Sequence, residues 1–333
     1  MAGAVRLASL PVLTALGVLG AVGPLGPATV YAMPSALAQS VSELRIPIKA
    51  DGATGIMGTL GTAGASGTNG GSRTAQADLF ATEYRPAGPG PFPLVLINHG
   101  MPRNAAERLE VTGRYREQSL EFVRRGFIVI NPVRRGYGKT GGAFAEGNPS
   151  CAQPGYLESG LEAARDLLAV IEYARTRTDI DTHRILLVGQ SAGGFAALAT
   201  ASLPIDGLRG VISFAGGEGS RGPGDVCAEE QLVDAFGRFA ETTRVPTMWL
   251  YADNDLYFGP DLVRRLVERY RARGGQVDYR PQAAWGSDGH GFFSSPATIP
   301  LWRRDLDTFL ATTGLAPLRP LAAGAGGAPT TLR

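Results

Sequence analysis

Ser191 is the residue whose surroundings point most directly to chemistry. It lies in Gly189-Gln190-Ser191-Ala192-Gly193-Gly194, directly after the apolar run Ile185-Leu186-Leu187-Val188 and directly before a stretch of small residues. A strand that turns abruptly into a helix holds its turn residue in a strained conformation. Glycines two before and two after it let the neighbouring backbone pass close by. The serine Oγ then projects above the sheet edge, with the amides of the helix N-terminus behind it, ready to stabilise an oxyanion. The chemistry predicted is nucleophilic acyl transfer, for which a serine needs a base. The bland alternative is a Gly-rich turn with a serine capping a helix.

The base follows by elimination, because only His99, His183 and His290 exist. His183 precedes the Ser191 strand, so strand rise puts it roughly 25 Å away, at the opposite end. His99, in Asn98-His99-Gly100-Met101, follows a strand at the correct edge, in a setting that suits an oxyanion loop better than a base. His290, in Gly289-His290-Gly291-Phe292 after the last strand, is the expected base. A carboxylate must orient it. Ala252-Asp253-Asn254-Asp255 ends another strand and offers two. Asp255 is preferred, because a short turn after the strand is needed to reach the histidine, and Asp253 is expected to cap that turn.

These residues need a scaffold that brings several strand ends to one edge. Strands are expected at 43–48 (an edge strand because of Pro47), 77–84, 94–97, 127–130, 185–188, 210–214, 246–251 and 277–281. Helices are expected at about 105–125, 157–176, 192–201, 228–242, 260–273 and 297–313. In the second of these, Leu161, Ala164, Leu168 and Ile171 share one face. The regular strand–helix alternation predicts an α/β protein: a mostly parallel central sheet covered by helices on both faces, without a separate cap domain.

Composition narrows the function classes. Of 333 residues, 44% are hydrophobic and 19% charged, with a net charge of +2 and no basic block. That balance fits a sizeable core and argues against a nucleic-acid partner. With three histidines already placed and two cysteines, no metal cluster or other cofactor is expected. The 46 glycines and 23 prolines divide between strand-end turns, a Gly-rich hairpin loop at 51–75 and a tail at 317–333 expected to be disordered. The sequence carries no signal for an oligomeric state.

Residues 1–38 read as a signal peptide. Arg6 precedes an apolar run at 7–22, and Ala36-Leu37-Ala38 supplies small residues at the two positions a signal peptidase reads. Cleavage is expected after Ala38, giving a periplasmic or secreted protein whose single domain spans 39–316 and which no longer contacts the membrane. A retained anchor is the alternative, although Pro11, Pro24 and Pro27 interrupt the stretch. In an oxidising compartment Cys151 and Cys227 are expected to form a disulfide that braces the rim of the pocket.

From about 77 to 313 the chain resembles the α/β-hydrolases, most of all their dienelactone hydrolase-like and prolyl oligopeptidase-like branches. The resemblance rests on Asn98-His99-Gly100-Met101, Arg135-Gly136-Tyr137-Gly138, Gly189 to Gly194, Asp255 and His290. The order Ser191, Asp255, His290 is the order of that fold. The resemblance implies that Met101 and Ala192 donate the two oxyanion-hole N–H groups. It implies an exported serine esterase acting on a small-molecule ester. A peptidase or amidase using the same triad, and a non-catalytic binding protein on the same fold, are the alternatives. Gly217-Glu218-Gly219-Ser220-Arg221-Gly222 matches a dinucleotide-binding pattern, but Pro223 and Gly224 follow instead of the helix that pattern requires, so 216–228 is expected to be a mobile loop over the site.

Overall fold

The structure, a computed structural model, describes residues 40–48, 78–113, 115–147 and 150–316. The expected leader at 1–38, the loop at 51–75 and the tail at 317–333 lie outside the described residues.

The chain opens with strands β1 (Ser40–Ile46), β2 (Leu79–Arg85) and β3 (Phe92–Asn98). Pro47, which cannot donate to a ladder, falls just past the end of β1. Where a single helix was expected at about 105–125 there are two, α1 (Ala105–Arg108) and α2 (Arg116–Val123). Asn104 caps the first by accepting from the Ala106 N–H at 2.9 Å. Between them Gly113 runs so close to the Thr82 side chain and the Asn131 carbonyl that a side chain there would be crowded.

Then follow β4 (Ile128–Val133), α3 (Tyr156–Arg175), β5 (Ile180–Gln190), α4 (Ala192–Ala201) and β6 (Leu208–Phe214). The segment expected as a mobile loop instead carries a short hairpin, β7 (Ser220–Gly222) with β8 (Asp225–Val226). The chain ends with α5 (Glu229–Thr242), β9 (Thr247–Ala252), α6 (Pro260–Ala272), β10 (Val277–Gln282) and α7 (Ile299–Thr312).

Eight strands form one sheet in the order β1-β2-β4-β3-β5-β6-β9-β10. β1 and β2 pair antiparallel, and β2 meets β4 antiparallel. The other six strands run parallel. The runs 94–97, 127–130 and 185–188 are buried on both faces, which is why they read as unbroken apolar stretches. One face packs against α3 to α6 around Phe195, Phe236, Phe239 and Trp249, the other against α2 and α7 around Phe122, Phe293 and Trp302. Six parallel strands send their carboxyl ends to one edge, so the turns after β3, β5, β6, β9 and β10 converge there. Among the described residues no helix is long and apolar enough to cross a membrane.

Cys151 and Cys227 are joined by a disulfide across a sequence separation of 76. Cross-linking so long a loop constrains the unfolded chain. Replacing both cysteines by serine is expected to lower unfolding stability by about 2–4 kcal/mol. Urea unfolding of the oxidised parent and the variant measures this, and coincident midpoints would refute the contribution.

Candidate active site

Ser191 stands between β5 and α4 with φ 56° and ψ −128°, a left-handed conformation that costs a non-glycine residue free energy. Its backbone is fixed from both sides: its N–H donates to the Phe214 carbonyl at 2.9 Å, and its carbonyl accepts from Phe195 and Gly217. Gly193 passes against the carbonyls of Asn98 and His99, where any side chain would collide. The turn therefore presses on the end of β3, bringing the His99 loop beside the serine. Ser191, Met101 and Ala192 line one cavity of about 350 Å³. Among the described residues no carbonyl takes the N–H of Met101 or of Ala192.

Asp255 and His290 come together. Both carboxylate oxygens of Asp255 lie 3.1 Å from His290 Nδ1. Asp255 is only 4% exposed, and its Oδ1 also accepts from the Tyr257 and Phe258 N–H groups. Asp253 is exposed on the same turn. The loop-capping role expected of Asp253 thus falls to Asp255, which turns the chain and grips the imidazole at once. The His290 loop is tied down twice more: its N–H donates to Asp288 Oδ1 at 2.9 Å, and its carbonyl accepts from Gln190 Nε2 at 2.7 Å. Gln190 adjoins Ser191, so this bond docks the histidine loop on the elbow. Ser191 Oγ itself makes no hydrogen bond to the imidazole among the described residues; in unliganded sites such bonds are commonly long and tighten with substrate.

The other two histidines are placed elsewhere. His183 is exposed near the start of β5. His99 is buried, with both ring nitrogens engaged: Nε2 accepts from the Arg134 N–H at 3.1 Å, and Nδ1 faces the Gly100 carbonyl at 2.8 Å. Burial, and then the Arg134 guanidinium, hold its pKa well below the usual imidazole range, so it stays neutral.

Sequence reasoning missed four features. Arg134, fully buried, pairs with Glu146, and its Nη1 donates to the His99 carbonyl at 2.7 Å. This bolts the His99–Met101 loop in place; a charged residue directly after an apolar strand was the available hint. Tyr257 lies flat on the His290 ring, with centroids 3.7 Å apart. Arg103 lies over Tyr257. Glu218, in the wall of the Ser191 cavity, is 2% exposed; its Oε2 accepts from Ser159 Oγ at 2.8 Å, and its Oε1 has no hydrogen-bond partner among the described residues.

Burial first, and then the Glu146 charge, push the Glu218 carboxyl up to about 8. The folded protein therefore keeps a proton that the unfolded chain releases near 4.5. The native state binds more protons across that window, so this group's contribution to stability falls as pH rises from 4.5 to about 8. Asp166, buried against Arg135, is pushed up to about 6 and acts with the same sign below that. Glu218→Gln is thus expected to flatten the decline of Tm over the upper part of the window, about pH 6.5 to 8. Calorimetry at four pH values checks it, and equal slopes in parent and variant would count against a buried neutral acid.

Comparison with known proteins follows the same lines. Residues 114–206, which include Ser191, match the prolyl oligopeptidase family. The chain is similar in structure to a protein assigned as a dienelactone hydrolase from Klebsiella pneumoniae, at 18% identity and TM-score 0.53, over 82% of this chain and 98% of that one. It is similar to an acetyl xylan esterase from Paenibacillus sp. R4, at 17% identity and TM-score 0.50, over 71% and 80%. It is similar to a puromycin-hydrolysing peptidase from Mycobacterium tuberculosis, at 20% identity and TM-score 0.50, over 73% of this chain but 38% of the peptidase. The fold is that of the α/β-hydrolases.

Proposed function

We propose that the protein is a serine hydrolase cleaving a small carboxylic ester through an acyl-enzyme, with Ser191 as nucleophile, His290 as general base and Asp255 as the carboxylate that orients it. One observation carries the reading. A serine held at positive φ at the end of β5 shares its sheet edge with an imidazole gripped on Nδ1 by a buried carboxylate. In this mechanism His290 Nε2 takes the Ser191 proton as Oγ attacks the carbonyl. Asp255 fixes the tautomer with Nδ1–H toward itself and stabilises the imidazolium. The N–H groups of Met101 and Ala192 receive the oxyanion, each contributing about 3 kcal/mol to lowering the barrier. His290 then returns the proton to the leaving alcohol, and water deacylates the enzyme by the same route.

The match to the prolyl oligopeptidase family supports a second reading, in which the same residues cleave an amide or peptide bond. Assaying short acyl esters beside aminoacyl amides, with His290→Ala as control, separates the two. Turnover of esters alone favours the first, and turnover of amides at comparable kcat/KM favours the second. Equal turnover by parent and His290→Ala would sink both.

The disulfide also supports export, since such bonds persist in oxidising compartments. The mature domain then starts at Gln39, which N-terminal sequencing of the protein recovered from outside the cytoplasm tests.

A further inference from the structure

The imidazole of His290 is held at its edge by Asp255, but its face is covered by a residue from a different turn. The Tyr257 ring lies 3.7 Å from it, with the planes only 10° apart. The Arg103 guanidinium carbon is 3.6 Å from the centre of the same Tyr257 ring. Two planar groups at those distances cannot share one face of a phenol. Arginine and histidine therefore lie on opposite faces, about 7 Å apart. The three residues come from the turns after β3, β9 and β10. The stack is pinned at both ends: Arg103 Nη2 donates to Ser220 Oγ at 2.9 Å, and the Tyr257 N–H donates to Asp255 Oδ1 at 2.7 Å. Among the described residues no ion pair joins Arg103 to a carboxylate.

We propose that Arg103, acting through Tyr257, is a positioning residue for the general base: the guanidinium–phenol–imidazole stack fixes the plane of the His290 ring. The inference rests on the reading of His290 as the base.

The physical reason is that a guanidinium is attracted to the face of a phenol. Held by Arg103 on one face, the Tyr257 ring offers the imidazole a fixed plane on the other, so rotation of His290 away from Asp255 is opposed. The other groups that hold His290 are common to parent and variants: Asp255 bonds Nδ1, Asp288 accepts the backbone N–H and Gln190 donates to the carbonyl.

The test uses the small number of histidines. The three imidazole signals are to be assigned by proton NMR with His183→Gln and His290→Gln. A ring stacked 3.7 Å from a phenol is shielded by it, so in Arg103→Met the His290 signal is expected to move downfield of its parental position. On a neutral ester kcat is expected to fall about tenfold with little change in KM. Arg103→Lys, which keeps a cation over the phenol, is expected to restore both. Tyr257→Phe is expected to behave like the parent, and Tyr257→Leu to lower kcat about tenfold with little change in KM. An unmoved His290 signal in Arg103→Met overturns the proposal. If KM for a carboxylate-bearing ester then rises selectively, Arg103 is a substrate-binding group instead. The spectrum needs no turnover, so it reports on the stack even if Ser191→Ala and His290→Gln leave activity intact and the hydrolase reading itself fails.

Discussion

Replacing Ser191 by alanine is expected to lower kcat on the best ester about 10⁴-fold or more and to abolish labelling by a fluorophosphonate probe. The substitution removes one oxygen and leaves its surroundings in place. The backbone bonds of residue 191 to Phe214, Phe195 and Gly217 do not involve the side chain. Alanine meets the same steric cost at φ 56° as serine does, so the turn is not released. The oxyanion donors and the cavity remain, and with them the residual rate that such sites keep when the nucleophile is lost. Unfolding midpoints equal to those of the parent confirm that chemistry alone was removed. A variant retaining more than about a tenth of parental turnover, or labelling as strongly, would exclude Ser191 as the nucleophile.

The second large effect separates two aspartates that stand two residues apart. Asp255→Asn is expected to lower kcat about 10⁴-fold, and Asp253→Asn to leave it within about twofold. Asparagine has the size of aspartate, so its carbonyl oxygen can still accept from the Tyr257 and Phe258 N–H groups. Its amide NH₂ must then face His290 Nδ1. Two donors cannot pair, so the imidazole puts its proton on Nε2, where it can no longer take one from serine. Asp253 is exposed and its side chain makes none of these bonds. Steady-state kinetics with thermal unfolding as a folding control decide the matter. Comparable losses in both variants, or the larger loss at Asp253, would reassign the orienting carboxylate.

Much of the scaffold could be read from local pattern. Helix α4 begins and ends where the small-residue stretch does, at 192–201, because the turn before it and the end of its apolar face are both written locally. The strands buried on both faces, β3, β4 and the second half of β5, are centred on the apolar runs 94–97, 127–130 and 185–188 and are found where those runs lie. The segment 105–125 misled: it divides near Gly113, which approaches β2 and β4 through residues about 20 to 30 positions away in the chain. The hairpin at 220–226 was missed for a similar reason: two glycines around a proline read as a loop, while the Cys151–Cys227 bridge fastens its end.

By itself the sequence determined the alternation of strands and helices, the strained serine turn, and the short roster of histidines and carboxylates from which a base and its partner could be drawn. Those features are local or are counts, and a linear string carries both in full. Only the tertiary structure decided which groups meet. It set Asp255 rather than Asp253 against His290, buried Arg134 with Glu146 behind the His99 loop, sealed Glu218 into the cavity wall, and stacked Arg103 and Tyr257 on the imidazole. The reason is geometric. A parallel sheet gathers the turns after β3, β5, β6, β9 and β10 at one edge, so residues more than a hundred positions apart in the chain become neighbours through strand order and register. No local pattern records that order.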